Sequence, residues 1–222
     1  MTQHGFARDQ RFTWSAREPK ACSLFLQDNE ATRSQYPFSF RLDVSYAVEN
    51  DDLIIVYEIT NTDDQIMPAS IGAHPAFNWP LVAGMQKESH SIVFSHAETA
   101  PVRRLDGGLL RDRPFETPIR GTTLALSEAL FAEDAIIMDQ LNSSSLRYTA
   151  PGAPTIAISW EGFRQLGLWS KPGGASFLCI EPWHGYASPV DFDGDFENKP
   201  GLIQFAAGET RSFVQRIGVL PC

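Results

Sequence analysis

His74 is the histidine whose neighbours best suit proton transfer. It lies in the segment IGAHPAFNWP at residues 71–80, where Pro75 favours an extended backbone and so fixes the direction of the imidazole. Histidine changes its protonation state near neutral pH, which lets it donate or accept a proton in a reaction. A histidine that is hydrogen-bonded in the core or at a strand end has the same local sequence. From this segment alone, that structural interpretation is the commoner one.

Glu181 is the second candidate, because it ends the apolar run FLCI at residues 177–180 and precedes Pro182. A carboxylate at the mouth of an apolar strand loses part of its hydration, which raises its pKa towards the range useful for a general base. The alternative is an exposed glutamate at a strand end. The sequence around Glu181 supports both interpretations equally.

Two further groups of side chains could contact a ligand. His4 and Arg8, in the segment QHGFAR at residues 3–8, could bind sugar hydroxyls or a phosphate, although a segment so near the N-terminus could also be frayed. Three tryptophans could present a flat apolar face to a sugar ring and keep an indole N–H as a donor. These tryptophans are Trp79, Trp169 and Trp183. Tryptophans of a β protein are more often buried in its core.

Metal binding has weaker support. The run DFDGDFE at residues 191–197 resembles a calcium loop only in part, since it lacks the distal bidentate glutamate of an EF-hand, so a solvated acidic loop is predicted. A transition-metal site is open on ligand types, although no short ligand spacing supports it. Its ligands would be His4, His74, Glu181 and His184.

Composition argues against several classes of partner. The net charge is −9 over 222 residues, whereas binding to nucleic acid needs clustered Lys and Arg that neutralise phosphates. The densest basic segment, residues 103–113, is interrupted by two aspartates and is predicted to be a solvated loop. No apolar run has the length of a membrane span, and residues 1–11 lack the apolar core of a secretion signal. We therefore expect neither nucleic acid nor membrane as a partner.

The cysteines indicate which cell compartment to expect, and the absent motifs exclude some classes of reaction. Cys22, Cys179 and Cys222 are an odd number, lie far apart and lack metal-ligand spacing, which favours a reducing compartment such as the cytoplasm. The sequence contains no phosphate-binding glycine loop and no G-x-S-x-G nucleophile segment.

Two-residue alternation dominates the chain and predicts a β fold that must position these side chains. Residues 40–48 alternate apolar and polar side chains, 49–52 supply a turn, and 53–60 form a β-branched run, so the two runs are predicted to pair as a hairpin. Only residues 127–131 suggest a short helix. Together these features predict one all-β domain over residues 1–222, built as an antiparallel sandwich or barrel. Further strands are predicted at 91–94, 122–126, 135–138, 145–148, 155–160, 167–169, 177–180 and 212–219.

Four motifs, read in order, resemble the aldose 1-epimerase (galactose mutarotase-like) family, and most closely its bacterial branch with an HGFAR segment. They are QHGFAR at 3–8, GAHPAFN at 72–78, LWSKPG at 168–173 and CIEPW at 179–183. The segment NKPG at 198–201, followed by Gly208 and Glu209, is similar to the family's closing strands. The resemblance implies a large, twisted antiparallel β-sandwich with an open groove for a free aldose.

The resemblance also implies roles for individual residues. His74 matches the general acid, Glu181 the general base and His4 a substrate-binding histidine, while Arg8 stands where the branch carries its arginine. Further substrate-binding positions are Asn78 and Trp183, within the motifs, and Asp134, through a looser alignment. The reaction would interconvert α and β anomers by opening and reclosing the ring, which requires proton transfer and no cofactor or metal.

The sequence departs from the family at its start. Family members have several strands before the His-Gly motif, one of them with an arginine that reaches the sugar, whereas this sequence begins almost at the motif. Either the start site is displaced or the protein is naturally shortened. A shortened sandwich would bind the sugar more weakly and expose a sheet edge, which association into a homo-oligomer would cover. Two alternatives stay open: a hexose-6-phosphate 1-epimerase in which Arg8 holds the phosphate, and a non-catalytic carbohydrate-binding sandwich.

Overall fold

The computed structural model describes residues 4–221, so Gln3 of the first motif and Cys222 lie outside the described part of the chain. Helix is scarce: α1 (Glu30–Arg33) and the 3-10 turns Ala7–Asp9, Lys87–Ser89, Glu128–Phe131 and Phe196–Asn198. None of the helices among residues 4–221 is long and apolar enough to cross a membrane. The strands are β1 (Thr13–Glu18), β2 (Ala21–Gln27), β3 (Phe40–Glu49), β4 (Asp52–Asn61), β5 (Met67–Ala69), β6 (Ile71–Gly72), β7 (Ala76–Asn78), β8 (Ser91–Phe94), β9 (Leu105–Asp106), β10 (Leu109–Leu110), β11 (Thr123–Ala125), β12 (Ile136–Met138), β13 (Ser145–Thr149), β14 (Thr155–Glu161), β15 (Gln165–Trp169), β16 (Phe177–His184), β17 (Ile203–Phe205) and β18 (Thr210–Leu220).

Two antiparallel sheets carry the fold. The larger has nine strands in the order β1-β2-β3-β4-β18-β14-β13-β8-β11, and the smaller has the order β12-β15-β16-β6, with β7 also paired to β16. Their inner faces share one apolar core, to which β8 and β11 contribute Ile92 and Leu124 while β15 and β16 contribute Leu168 and Ile180. Each such side chain stabilises the fold by about 1.5–3 kcal/mol when fully buried. The antiparallel β-sandwich predicted from the sequence is thus confirmed.

The strand predictions are confirmed where the alternation is strong. β3 and β4 pair from Phe40 opposite Asn61 to Glu49 opposite Asp52, and Asn50 in the turn adopts a left-handed φ of +55°. Each of the eight further predicted strands has a counterpart, while the predicted helix at 127–131 is a 3-10 turn. The largest difference concerns β16, which continues four residues beyond the predicted end, to His184.

The hairpin of β1 and β2 was missed by the sequence interpretation. All six residues of β1 are exposed, so the strand shows no alternation of buried and exposed positions. Pairing with β2 alone holds it at the edge of the large sheet, where Trp14 lies under the Arg17 guanidinium at 3.9 Å. The strand therefore arises from a pairing that a local pattern does not report.

The basic segment is more ordered than the predicted solvated loop, because three of its arginines are partly buried. Arg103 donates to the carbonyls of Arg111 and Asp112, and Arg104 donates to the carbonyl of Asp134. Arg111 pairs with Glu133 at 2.8 Å. These contacts occupy the guanidinium groups in holding the loop. The acidic run at 191–197 is an exposed loop, as predicted, apart from the half-buried ring at position 192.

Candidate active site

His74 lies on a segment that runs alongside β16. β6 pairs with the end of β16, where Gly72 lies opposite Trp183, and β7 pairs with its beginning, where Ala76 lies opposite Cys179. Between them, the Ala73 N–H donates to the Pro182 carbonyl at 3.0 Å. The register is the same on both sides of this gap. His74 is consequently placed directly opposite Glu181.

The two candidate proton-transfer groups are in contact. His74 Nδ1 lies 3.4 Å from Glu181 Oε1, and the histidine side chain keeps 41% of its surface exposed. Glu181 is only 3% exposed. The alternative of an exposed glutamate is wrong, whereas the desolvation predicted for this carboxylate agrees with its burial. The predicted strand end is also wrong, because β16 continues through Pro182, whose carbonyl still accepts a hydrogen bond. The site thus has a buried carboxylate as its floor and an imidazole at its rim.

Burial shifts both groups towards their neutral forms. Desolvation raises the pKa of Glu181 to about 8, against the opposing effect of hydrogen bonds from Trp183 and Cys179. Desolvation also lowers the pKa of His74, and the positive charges of His4 and Arg8 lower it further. An ion pair at 3.4 Å would have the opposite effect on each group. With the carboxylate almost completely out of water, we infer that a single shared proton resides on Glu181 in the sugar-free protein.

The N-terminal segment completes one side of the site. The ring centroids of His4 and His74 are 5.1 Å apart, and His4 has a left-handed φ of +67° that turns the chain towards the site. Arg8 is exposed, in the 3-10 turn Ala7–Asp9. The Phe6 ring packs against Tyr36 at 5.6 Å, so the described part of the segment, residues 4–8, is anchored to the core and is not frayed.

Two predicted substrate-binding residues lie further from the pair. Asn78 is exposed on β7, opposite Phe177, and shares the face of the small sheet that carries Glu181. Asp134 is exposed before β12, two strands away, with a left-handed φ of +66°. Its Oδ1 accepts a hydrogen bond from the Ala135 N–H at 2.7 Å. The structure therefore brings Asn78 onto the site face and leaves Asp134 at its margin.

The three tryptophans have different environments. Trp79 is completely buried and donates its indole N–H to the Lys87 carbonyl at 3.0 Å, so its role is in the core. Trp169 is half-buried beside Phe177. Trp183 is half-buried on the site face of β16 and hydrogen-bonds to Glu181. Of the three, only Trp183 touches the acid–base pair.

Cys179 was not expected at the site. It precedes Glu181 by two residues on β16, so the alternation of a strand puts both side chains on one face. The ligand atoms of His74, Cys179 and Glu181 all lie within 4.8 Å of one another. Burial and the neighbouring carboxylate raise the pKa of the Cys179 thiol to about 12, so it remains a protonated hydrogen-bond donor to Glu181 near neutral pH and a poor metal ligand.

The four-ligand metal set that ligand types alone left open is not assembled. His184 follows Glu181 by three residues and points to the opposite face of β16, where its Nδ1 lies 3.1 Å from the Gly162 carbonyl. Its ring packs edge-on against Phe213. The arrangement instead offers a histidine and a buried carboxylate, side by side, that can exchange protons with a ligand that contacts both.

Comparisons with known proteins agree with this architecture. The sequence model of the aldose 1-epimerase family matches residues 1–203. Protein LacX (plasmid) of Lactococcus lactis subsp. lactis is 31% identical over 210 residues, which cover 92% of this chain and 70% of LacX. A galactose mutarotase related enzyme from Lactobacillus acidophilus has a TM-score of 0.89 and 30% identity, over 99% of this chain and 74% of that one. A galactose mutarotase-like protein from Lactobacillus casei also reaches 0.89, with 26% identity, over 99% of this chain and 76% of that one. The chain belongs to the aldose 1-epimerase family.

Proposed function

We propose that this chain is an aldose 1-epimerase that interconverts the α and β anomers of a free aldose, with His74 as general acid and Glu181 as general base. The observation that carries the proposal is the 3.4 Å contact between the half-exposed imidazole and the buried carboxylate. The family, and the names of two neighbours as galactose mutarotase related or galactose mutarotase-like, support an aldose as substrate.

Ring opening needs two proton transfers. Glu181 accepts the proton of the anomeric hydroxyl while His74 donates a proton to the ring oxygen, so the bond between C1 and the ring oxygen breaks as the C1 carbonyl forms. Rotation about C1–C2 then presents the other face of that carbonyl. In reclosure His74 takes back its proton, Glu181 returns its own to the new anomeric oxygen, and no atom or electron is supplied from elsewhere.

The electrostatics of His74 and Glu181 suit the ring-opened stage of this reaction. Once the ring has opened, Glu181 carries the proton and His74 is neutral. Burial favours this same distribution in the free protein, since it raises the pKa of the carboxyl and lowers that of the imidazole. The ring-opened state is therefore stabilised relative to the charged pair that precedes it, which is useful because the open chain is the high-energy species of the cycle.

Further residues would hold the sugar around the pair. Trp183 offers its half-buried indole on the face that carries Glu181, and Asn78 offers an exposed amide on the same face. His4 lies beside His74 at 5.1 Å and would face the ring-oxygen side of the sugar. In this proposal Asp134, two strands away, would reach only a hydroxyl far from the anomeric carbon.

Polarimetry on freshly dissolved α-glucose and α-galactose tests the proposal. The wild-type chain is expected to accelerate anomer interconversion, and either Glu181→Gln or His74→Gln should lower kcat by about 10²–10⁴-fold with circular dichroism unchanged. Acceleration that survives in Glu181→Gln would contradict the assignment of the base. Sugar binding by calorimetry without any acceleration by the wild type would instead indicate a carbohydrate-binding protein.

A hexose 6-phosphate is the second candidate substrate, and the position of Arg8 favours it. The ring oxygen would lie at His74, and C6 is attached to C5, the neighbour of that oxygen. Arg8 is close enough to His74 for its charge to lower the pKa of the imidazole, so its guanidinium would be near enough to the ring oxygen to pair with a 6-phosphate. Comparing kcat/KM for glucose and glucose 6-phosphate, in wild type and Arg8→Gln, decides between them. A phosphate specialist loses its preference in the variant.

A further inference from the structure

The indole of Trp183 lies flat across three strands of the small sheet. It extends over Gly72 of β6 on one side and over Gly167 of β15 on the other, where Gly167 is paired with Glu181. A Cβ added to Gly72 would lie 2.5 Å from Trp183 Cδ1, and one added to Gly167 would lie 2.4 Å from both Cζ2 and Cη2. Only glycine at both positions leaves room for the ring, so two backbones form its seat.

This seat places a hydrogen-bond donor against the base. Alternation along β16 directs Cys179, Glu181 and Trp183 to one face, where the indole N–H is placed as a donor whose interaction lowers the pKa of the Glu181 carboxyl. The ring also covers the strand next to Glu181, which helps to keep water from a carboxylate that is only 3% exposed. Since the ring rests on backbone at both ends, it cannot turn away without leaving the sheet surface.

Few other groups compete for this carboxylate in the described part of the chain. His74 faces it from the segment 71–78, and behind that histidine lie His4 and Arg8 of the N-terminal segment. Cys179, on the same strand, is the second hydrogen-bond donor. On the β15 and β12 side the neighbours in register, Gly167 and Ile137, carry no titratable group.

We propose that Trp183 is the positioning residue of the base: seated on Gly72 and Gly167, it holds the Glu181 carboxylate towards His74 through its indole N–H. The kinetic part of this inference rests on the proposed function. Its effect on the ionisation of Glu181 does not, because that ionisation can be followed without a substrate. Removing the donor while keeping an aromatic ring should make the carboxylate harder to ionise.

Carbon-13 NMR of the full chain labelled with [δ-13C]glutamate measures this ionisation directly. The Glu181 resonance is the one missing in Glu181→Gln. In Trp183→Phe its titration midpoint is expected to rise by about one to two pH units, the shift that corresponds to one hydrogen bond to a charged group. Trp169→Phe is the matched control, since it makes the same substitution on the adjacent strand and should leave the midpoint in place. An unchanged midpoint in Trp183→Phe overturns the proposal.

Gly167→Ala tests the seat without altering either partner. The added Cβ displaces the ring together with its N–H, so the midpoint should move away from its wild-type value. In a Trp183→Phe background the same glycine substitution should add little, because the N–H is already absent. Equal shifts in both backgrounds would mean that the glycine acts on Glu181 by another route and would overturn the seat. Gly72→Ala serves in the same way if Gly167→Ala does not fold.

The outcomes separate this inference from the proposed function. If the wild type fails to accelerate mutarotation while Trp183→Phe shifts the midpoint, the function is wrong and the positioning role stands. If the wild type is active and the midpoint does not move, the positioning role is wrong. When the proposed function and the positioning role are both correct, the alkaline limb of the kcat/KM profile of Trp183→Phe should move by the same amount as the NMR midpoint.

Discussion

Replacing Glu181 by glutamine should stabilise the protein at alkaline pH while lowering the kcat of the proposed reaction by about 10²–10⁴-fold. Burial raises the pKa of Glu181 from 4.5 to about 8. Because the folded-state pKa lies above the unfolded one, the folded state binds the proton more tightly. The contribution of the Glu181 proton to the free energy of unfolding is therefore fully present below pH 4.5 and is lost progressively as the pH rises to about 8. At about 1.4 kcal/mol per pH unit, the full loss is about 5 kcal/mol, and about 4 kcal/mol of it falls above about pH 5.

Glutamine matches the protonated carboxyl in size and cannot ionise, so the variant avoids this loss. Urea unfolding of both proteins should give similar free energies at about pH 5, and should favour Glu181→Gln by roughly 3–4 kcal/mol more at about pH 8. Glu161→Gln controls for the removal of one charge, since Glu161 is exposed at the end of β14 and keeps its water in both states. A difference between wild type and Glu181→Gln that is constant over this pH range would refute the assigned burial and ionisation of Glu181.

Three further results are expected. The kcat/KM profile for anomer interconversion should be bell-shaped. His74 and Glu181 are both protonated below an acid limb under pH 6.5, and both are deprotonated above an alkaline limb near pH 8. A flat profile in polarimetry would count against a proton shared by His74 and Glu181. Gln215→Met should raise the free energy of unfolding by about 1–3 kcal/mol in urea, because the amide of this completely buried side chain has no partner among residues 4–221; a loss would point to a bridging water. Tyr148→Phe should lower it by about 1–3 kcal/mol, since the buried hydroxyl donates to the Asn78 carbonyl at 2.9 Å; no change would mean that water replaces the donor.

The sequence predicted the parts of the fold that local chemistry dictates. The β3–β4 hairpin follows from alternation and from a turn at 49–52, whereas β1 carries only exposed residues and forms through pairing alone. At the site, the ordered motifs indicated His74 and Glu181, but their contact depends on the register between β16 and the segment 71–78, which no local pattern contains. Pro182 suggested the end of a strand, and the structure continues it. Cys179 could have been found, since it stands two residues before Glu181 in the predicted strand.

Burial of the base has opposite effects on stability and on chemistry. Trp183, resting on two glycines, excludes water from Glu181 and so makes its charged form unfavourable, at the loss of several kcal/mol of stability above neutral pH. The same exclusion favours the protonated carboxyl, which is the form that the proposed mechanism has in the ring-opened state. The hydrogen bonds from Trp183 and Cys179 lower the pKa of Glu181 and so act against the effect of burial. They make the ionised carboxylate easier to form near neutral pH. In the proposed cycle Glu181 has to lose and regain its proton, so the ring that desolvates it would have to carry a donor as well. A phenyl ring would give the same cover without that donor.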